Sequence, residues 1–256
     1  MGWEEAGQAW GRKAWDWALL QEPLNANSFD LLHQRTSVGD GVRLLELACG
    51  SGLALQRAQA RGAVCFGIDA SEGLQAVAAE RAPGVSLTLG DTADLPYDDD
   101  SFDVVTCVNG IQYGSEQALV EVARVLRPGG RFGMAFWSDA RDYGPFFHAL
   151  ESCSPPATGT ATALRLSDPG VSEGFVESVG LEVLERGDHG VVGLFRSIED
   201  AMCGFEAPGA TLEAIEHSGL EAFRAAIREA LEPYSDPASG RVRMVATMGH
   251  LVARMP

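Results

Sequence analysis

The sequence predicts an α/β fold, a three-layer sandwich in which helices cover both faces of a mostly parallel sheet. Two observations predict it. First, residues 42–47 form an apolar run that passes straight into Ala48-Cys-Gly50-Ser-Gly52, and after a helix-length gap a second apolar run, residues 63–68, ends on Asp69. Second, the same alternation of short apolar run and helical segment continues to residue 137, which is the pattern of βαβ units. At 256 residues the chain is long enough for one large α/β domain with an elaboration. We divide it into residues 1–38 (N-terminal helices), 39–140 (the alternating core) and 141–256 (further helices and the last strands).

The elements follow in order. Residues 3–20 carry Trp10, Ala14, Trp17 and Ala18 at helical spacing, and Pro23 stops the run. Four tryptophans within the first seventeen residues mark this helix either as one that packs by burying large rings or as a lid. A helix over 27–36 leads into strand one. Residues 53–61 form a helix closed by Gly62, and Ser71 caps the helix that runs to Arg81. Strand three covers 85–89 and strand four 102–107, with Asp98-Asp-Asp100 as a solvated turn between them. A helix over 116–126 turns through Arg127-Pro-Gly-Gly130 into strand five, 131–137. Beyond it, helices over 143–150 and 168–179, a strand from 180, two or three helices within 197–232 and a last strand over 242–252 complete the pattern.

The glycine stretch narrows the ligand. A dinucleotide fingerprint needs three spaced glycines, and Gly50-Ser-Gly-Leu-Ala-Leu lacks the third; a P-loop needs Gly-Lys, and the single lysine is Lys13. What remains is Glu46-x-Ala48-x-Gly50-x-Gly52 followed by Asp69. This resembles the first motif of class I, Rossmann-like S-adenosylmethionine (SAM) methyltransferases, E/D-x-G-x-G-x-G, with alanine at the first glycine. Alanine is a mild departure unless the backbone there needs φ > 0. A carboxylate at Glu46 suits a ligand with a sulfonium and an ammonium, where a pyrophosphate would be repelled. Two later runs extend the resemblance, Gly90-Asp-Thr-Ala-Asp-Leu-Pro-Tyr97 and Ala123-Arg-Val-Leu-Arg-Pro-Gly-Gly130, so that it spans residues 40–137.

The resemblance implies a seven-stranded sheet of order 3-2-1-4-5-7-6 with the last strand antiparallel. It also implies a lid formed by the N-terminal helices and a helical insertion near the C-terminus. SAM would be held by Glu46, Ala48, Gly50, Gly52, Asp69 and Ala70, with Asp91 and Thr92 at the adenine and Asn109 at the end of strand four; the product would be S-adenosylhomocysteine. Methyl transfer needs alignment at about 3 Å and exclusion of water more than acid–base chemistry. Gln112 and Tyr113, just past strand four, and His148, in the roof, are the candidates to hold or deprotonate an acceptor; Trp15, Trp137 and Phe147 are the expected pocket walls. The Asn109-Gly-Ile-Gln-Tyr113 run lacks the prolines of the Asn-Pro-Pro-Tyr motif and offers no metal-binding aspartate, so no catalytic metal is expected.

Composition limits the partners. Nineteen basic against thirty-six acidic residues leave a net charge of −17, which disfavours nucleic acid and anionic membranes. Five cysteines with no C-x-x-C pair read as reduced thiols of a cytoplasmic protein, and neither a signal peptide nor a span of eighteen apolar residues is expected. The sequence leaves oligomeric state open, a homodimer being one option. The expected activity is methylation of a small organic molecule, and arginine use over lysine with abundant alanine and glycine suggests a bacterial setting, secondary metabolism among them. The alternative is an enzyme on the same fold that binds SAM but catalyses a cyclisation, decarboxylation or rearrangement.

Overall fold

The computed structural model describes residues 2–113, 116–137, 144–155 and 165–256. Its sheet has seven strands: β1 (Arg43–Leu47), β2 (Val64–Asp69), β3 (Ser86–Leu89), β4 (Phe102–Val108), β5 (Leu126–Trp137), β6 (Glu182–Phe195) and β7 (Val242–Arg254). They lie in the order β3-β2-β1-β4-β5-β7-β6, as expected. The β1–β2, β1–β4, β2–β3 and β4–β5 pairs are parallel, and β7 runs antiparallel to both β5 and β6. β1 and β4 are central and apolar because both of their faces are covered: Leu44, Leu45, Leu47, Val104 and Val105 are all buried.

The helices that matter for the site are α1 (Trp3–Gly11), α2 (Ala14–Asp16), α3 (Ala26–Arg35), α4 (Leu53–Gln59), α5 (Glu72–Arg81), α6 (Glu116–Val125) and α7 (Gly144–Cys153). Ser71 caps α5 as read from the sequence, accepting the Leu74 N–H at 3.2 Å.

Three segments differ from expectation. The helix expected over 3–20 breaks at Arg12-Lys13: α2 is a single turn, Trp17–Gln21 is wound as a π-helix, and Pro23 sits inside a following 3-10 turn, Glu22–Asn25, rather than ending the run. Strand five starts at Leu126, which pairs with Phe102 before a bulge. The largest difference is in β6 and β7. β5 pairs only with the 248–254 half of β7, while β6 stays paired to β7 from Glu182 to Phe195. The other half, residues 190–195 against 242–247, therefore projects past the carboxyl edge of the parallel strands as a two-stranded ribbon. Between its strands it carries the helices Ile198–Glu206, Leu212–Ser218 and Leu220–Leu231. A core of Phe146, Phe195, Phe205, Phe223 and Met244, with Leu24 from the N-terminal segment, packs them over that edge.

The N-terminal segment is pinned under this roof from two sides. Gly7 and Gly11 let α1 lie directly on the loop after β2: a Cβ on Gly7 would stand 1.9 Å from the Ala70 carbonyl oxygen, and one on Gly11 would stand 2.6 Å from Ser71 Oγ. On its other side Trp10 presses against Gly209. Lys13 and Arg224 both pair with the buried carboxylate of Glu206 at 2.6 Å. Burial alone would raise that carboxyl's pKa, but the two cations hold it below the ordinary value.

Gly7→Ala tests this docking, because its sign opposes helix propensity. In a free helix the change stabilises by up to about 1 kcal/mol, whereas overpacking against Ala70 costs about 1–3 kcal/mol. We expect a net loss of stability in urea denaturation, and a gain would show that α1 does not rest on this loop.

Candidate functional site

β1 delivers Glu46 to the carboxyl half of the sheet, where it is 2% exposed. Its carboxylate accepts hydrogen bonds from Thr106 Oγ1 on β4 and from the Val108 backbone N–H. Burial pushes its pKa up to about 8, with the charge of Glu22 adding to the shift.

The chain then makes a turn built on left-handed residues: Ala48 has φ +50°, Gly50 φ +55° and Gly52 φ +82°. This corrects the expectation that Ala48 is a mild departure. The turn does demand positive φ at that position, and alanine bears a cost of about 1–2 kcal/mol that glycine would not. Gly52 is also a close approach, because a Cβ there would meet Ala78 of α5 at 2.8 Å.

Asp69, at the end of β2, closes the turn. Its Oδ2 accepts the Gly50 N–H and its Oδ1 the Ser71 N–H, each at 2.8 Å. It is 7% exposed, and burial raises its pKa against the pull of the Gly50, Ser71 and Ala70 amides. Beside it, at the end of β3, Asp91 and Thr92 are half-buried; Asp91 Oδ1 accepts the Ala93 N–H at 3.0 Å, and the Gly90 N–H donates to the Asp69 carbonyl at 3.1 Å.

The structure adds residues that the sequence reading missed. Glu22, 3% exposed, lies on the glycine turn: it accepts Ser51 Oγ at 2.5 Å and the Arg81 guanidinium. Burial raises its pKa in spite of these partners. Arg81 also donates to the Ser51 carbonyl at 3.0 Å and to the Ala18 carbonyl at 2.9 Å. Trp17 brings its indole nitrogen to the same turn, buried and with no hydrogen-bond partner. The only sequence signal for these positions was their place in a tryptophan-rich segment. Three buried carboxyl groups, Glu22, Glu46 and Asp69, thus lie about the glycine turn, and Arg81 pairs with the first of them.

At the end of β4, Asn109 takes φ +54° and donates through Nδ2 to Asn25 Oδ1 at 3.2 Å. Gln112 Nε2 donates to Asn109 Oδ1 at 3.4 Å, and Gln112 Oε1 is buried without a partner. The side chains of Tyr113 and His148 lie outside the described residues. Trp137, ending β5, and Phe147, on α7, are partly buried against the roof core. Trp15 does not join them: it is 51% exposed and faces a surface groove along α5 with Gly73 and Glu80, because the break at Arg12-Lys13 turns Trp17 inward in its place. His33 is buried with both ring nitrogens unpartnered, and burial lowers its pKa to about 4. Among the described residues no group of three or more His, Cys, Asp or Glu side chains is arranged to hold a metal ion, and no helix is long and apolar enough to cross a membrane.

The strain at residue 48 is open to measurement. Ala48→Gly should stabilise the fold by about 1 kcal/mol, less the extra chain entropy glycine loses on folding. A melting curve shifted downward would place the cost of this turn elsewhere.

Residues 45–134 match a family model described as a methyltransferase domain. The chain is 29% identical over 227 residues to the uncharacterized protein Rv1405c of Mycobacterium tuberculosis, covering 82% of this chain and 80% of that one. It is 43% identical over 96 residues to the demethylmenaquinone methyltransferase of Clavibacter sepedonicus, covering 36% of this chain and 39% of the relative. Among solved structures, that of the [4+2]-cyclase SpnF superposes with a TM-score of 0.59 at 24% identity, over 90% of this chain and 81% of that one, which is a likeness of fold. The matched segment opens in β1 at the glycine turn and ends in β5, so similarity in sequence and the order of the strands meet on the same part of the molecule. Residues 45–134 thus resemble a methyltransferase domain, and they lie within a sheet whose strand order is that of the class I, Rossmann-like methyltransferase fold.

Proposed function

We propose that this protein transfers a methyl group from SAM to a small organic acceptor. The observation that carries the reading is the cluster of buried carboxyl groups at the carboxyl edge: Glu46 and Asp69 on adjacent strands flank the left-handed glycine turn, Glu22 caps it, and Arg81 pairs with only one of the three. Such a cluster suits a ligand of net positive charge and disfavours a pyrophosphate. The turn is also a cradle, since Gly50 has no Cβ where one would lie 3.2 Å from Glu22 Oε1.

When bound, SAM supplies an electrophilic methyl group on a sulfonium. The chain's own residues would do the rest. Asp69 keeps acceptor capacity beyond its backbone amides and would take the ribose hydroxyls, Asp91 and Thr92 would border the base, and Glu46 would favour the positive end. At the end of β4 the Asn25–Asn109–Gln112 chain of amides faces the edge where ligands lie in open α/β sheets, and Gln112 Oε1 is an unused acceptor for a hydroxyl or amine proton of the methyl acceptor. The roof and the N-terminal segment would exclude water from an alignment-driven reaction. The net charge of −17 disfavours a nucleic-acid acceptor, and a small one accords with the demethylmenaquinone methyltransferase among the relatives.

Two measurements test this. SAM should bind in titration calorimetry, and Asp69→Ala should weaken it by about 1–3 kcal/mol, roughly 5- to 150-fold; unchanged affinity would remove Asp69 from the site. Methyl-labelled SAM incubated with candidate acceptors separates transfer from a cyclase-type reaction, which would leave the label on SAM.

The pH dependence follows from Glu46, whose pKa of about 8 keeps it protonated at neutral pH. A cation beside it favours the carboxylate, so binding releases a proton, and affinity should rise with pH until it levels off above about 8. Glu46→Gln should flatten the profile. A wild-type profile already flat between pH 6.5 and 8.5, roughly the span over which such a group titrates, would mean that Glu46 does not sense the ligand.

A further inference from the structure

The family match begins at residue 45, so it assigns nothing to the segment that carries Trp17 and Glu22. Yet both side chains converge on the glycine turn. A Cβ built on Gly50 would lie 3.2 Å from Glu22 Oε1 and 3.5 Å from Trp17 Nε1. The two groups are held from behind. Glu22 Oε2 takes Ser51 Oγ and Arg81, the Leu53 backbone N–H also donates to this carboxylate, and Oε1 is the oxygen turned toward Gly50. The Trp17 ring is fixed edge-on against Trp10 at 5.1 Å, and Trp10 in turn rests on Gly209.

The indole N–H is therefore a buried donor in a fixed direction with nothing to donate to. A folded chain seldom leaves such a group unpaired, and where it does the group calls for an explanation, a bound ligand or water among them. Here the unpaired donor stands beside a buried carboxylate oxygen, both within 3.5 Å of one point on the turn. A chemical group that satisfies a donor and an anionic acceptor side by side, and that also matches their charges, is an α-amino acid zwitterion. Its carboxylate accepts from the indole, and its ammonium donates to the carboxylate.

We infer that Trp17 and Glu22 are the clamp for the amino-acid end of SAM, so that the N-terminal segment is part of the donor site and more than a cover over it. This rests on the SAM reading above. The arrangement also sets specificity: nucleosides that share the adenosine but lack the amino-acid end forfeit both contacts.

Titration calorimetry with two ligands tests the clamp without turnover. S-adenosylhomocysteine carries the amino-acid end and methylthioadenosine does not. Trp17→Phe keeps the ring and removes only the N–H. It should weaken S-adenosylhomocysteine about tenfold, the worth of one hydrogen bond, and leave methylthioadenosine unchanged. Glu22→Gln, with its fold checked by thermal melting, should show the same selective loss. Equal weakening of both ligands, or no weakening of either, would overturn the clamp. A wild-type protein that binds neither S-adenosylhomocysteine nor SAM would instead overturn the donor reading, and the clamp with it.

Discussion

The contact on which the rest of the site depends is the Arg81 guanidinium. From the last turn of α5 it reaches Glu22, the Ser51 carbonyl and the Ala18 carbonyl, joining the N-terminal segment to the glycine turn. A single rigid, planar, permanently charged donor set can do this where a lysine could not, because the bonds leave in several fixed directions. It is also the cation that makes the burial of Glu22 tolerable. Uncompensated, a carboxylate at that depth would titrate away its charge or swing out toward water. The position of the whole segment over the carboxyl edge thus follows from one ion pair and its side bonds.

Geometry at the edge has a similar economy. Asp69 spends its two oxygens on the Gly50 and Ser71 amides, so the end of β2 and the turn after β1 hold one another. Glu46, one strand over, takes its bonds from β4. Adjacent strands are stitched by the same carboxyl groups that the site offers a ligand, and burying them costs stability that a ligand of opposite sign would return.

Much of this was legible in the sequence, and the reasons are local. Short apolar runs ending on Gly or Asp are a strong signal because a buried parallel strand must be apolar throughout and must leave the sheet through residues that tolerate unusual φ. Glu46, Gly50, Gly52 and Asp69 therefore stood out, and each lies at the edge. Ala48 was misjudged because residue type does not reveal φ when the residue is not glycine. The ribbon was missed because Gly187, Gly190 and Gly193 interrupt β6, and glycines in a strand read as its end. Glu22 and Trp17 were invisible as partners of the turn because their contacts span 29 and more residues and form only once a π-helical turn rotates them inward.

One further consequence comes from Lys13. It is the sole lysine in 256 residues, and its ammonium is committed to the buried Glu206. Acylating reagents that seek a side-chain amine therefore have a single target in this molecule, and it sits at the seam between the entrance segment and the roof. Because that side chain is partly exposed, the speed of this one modification, set against that of a free lysine, reads how firmly Glu206 holds the ammonium.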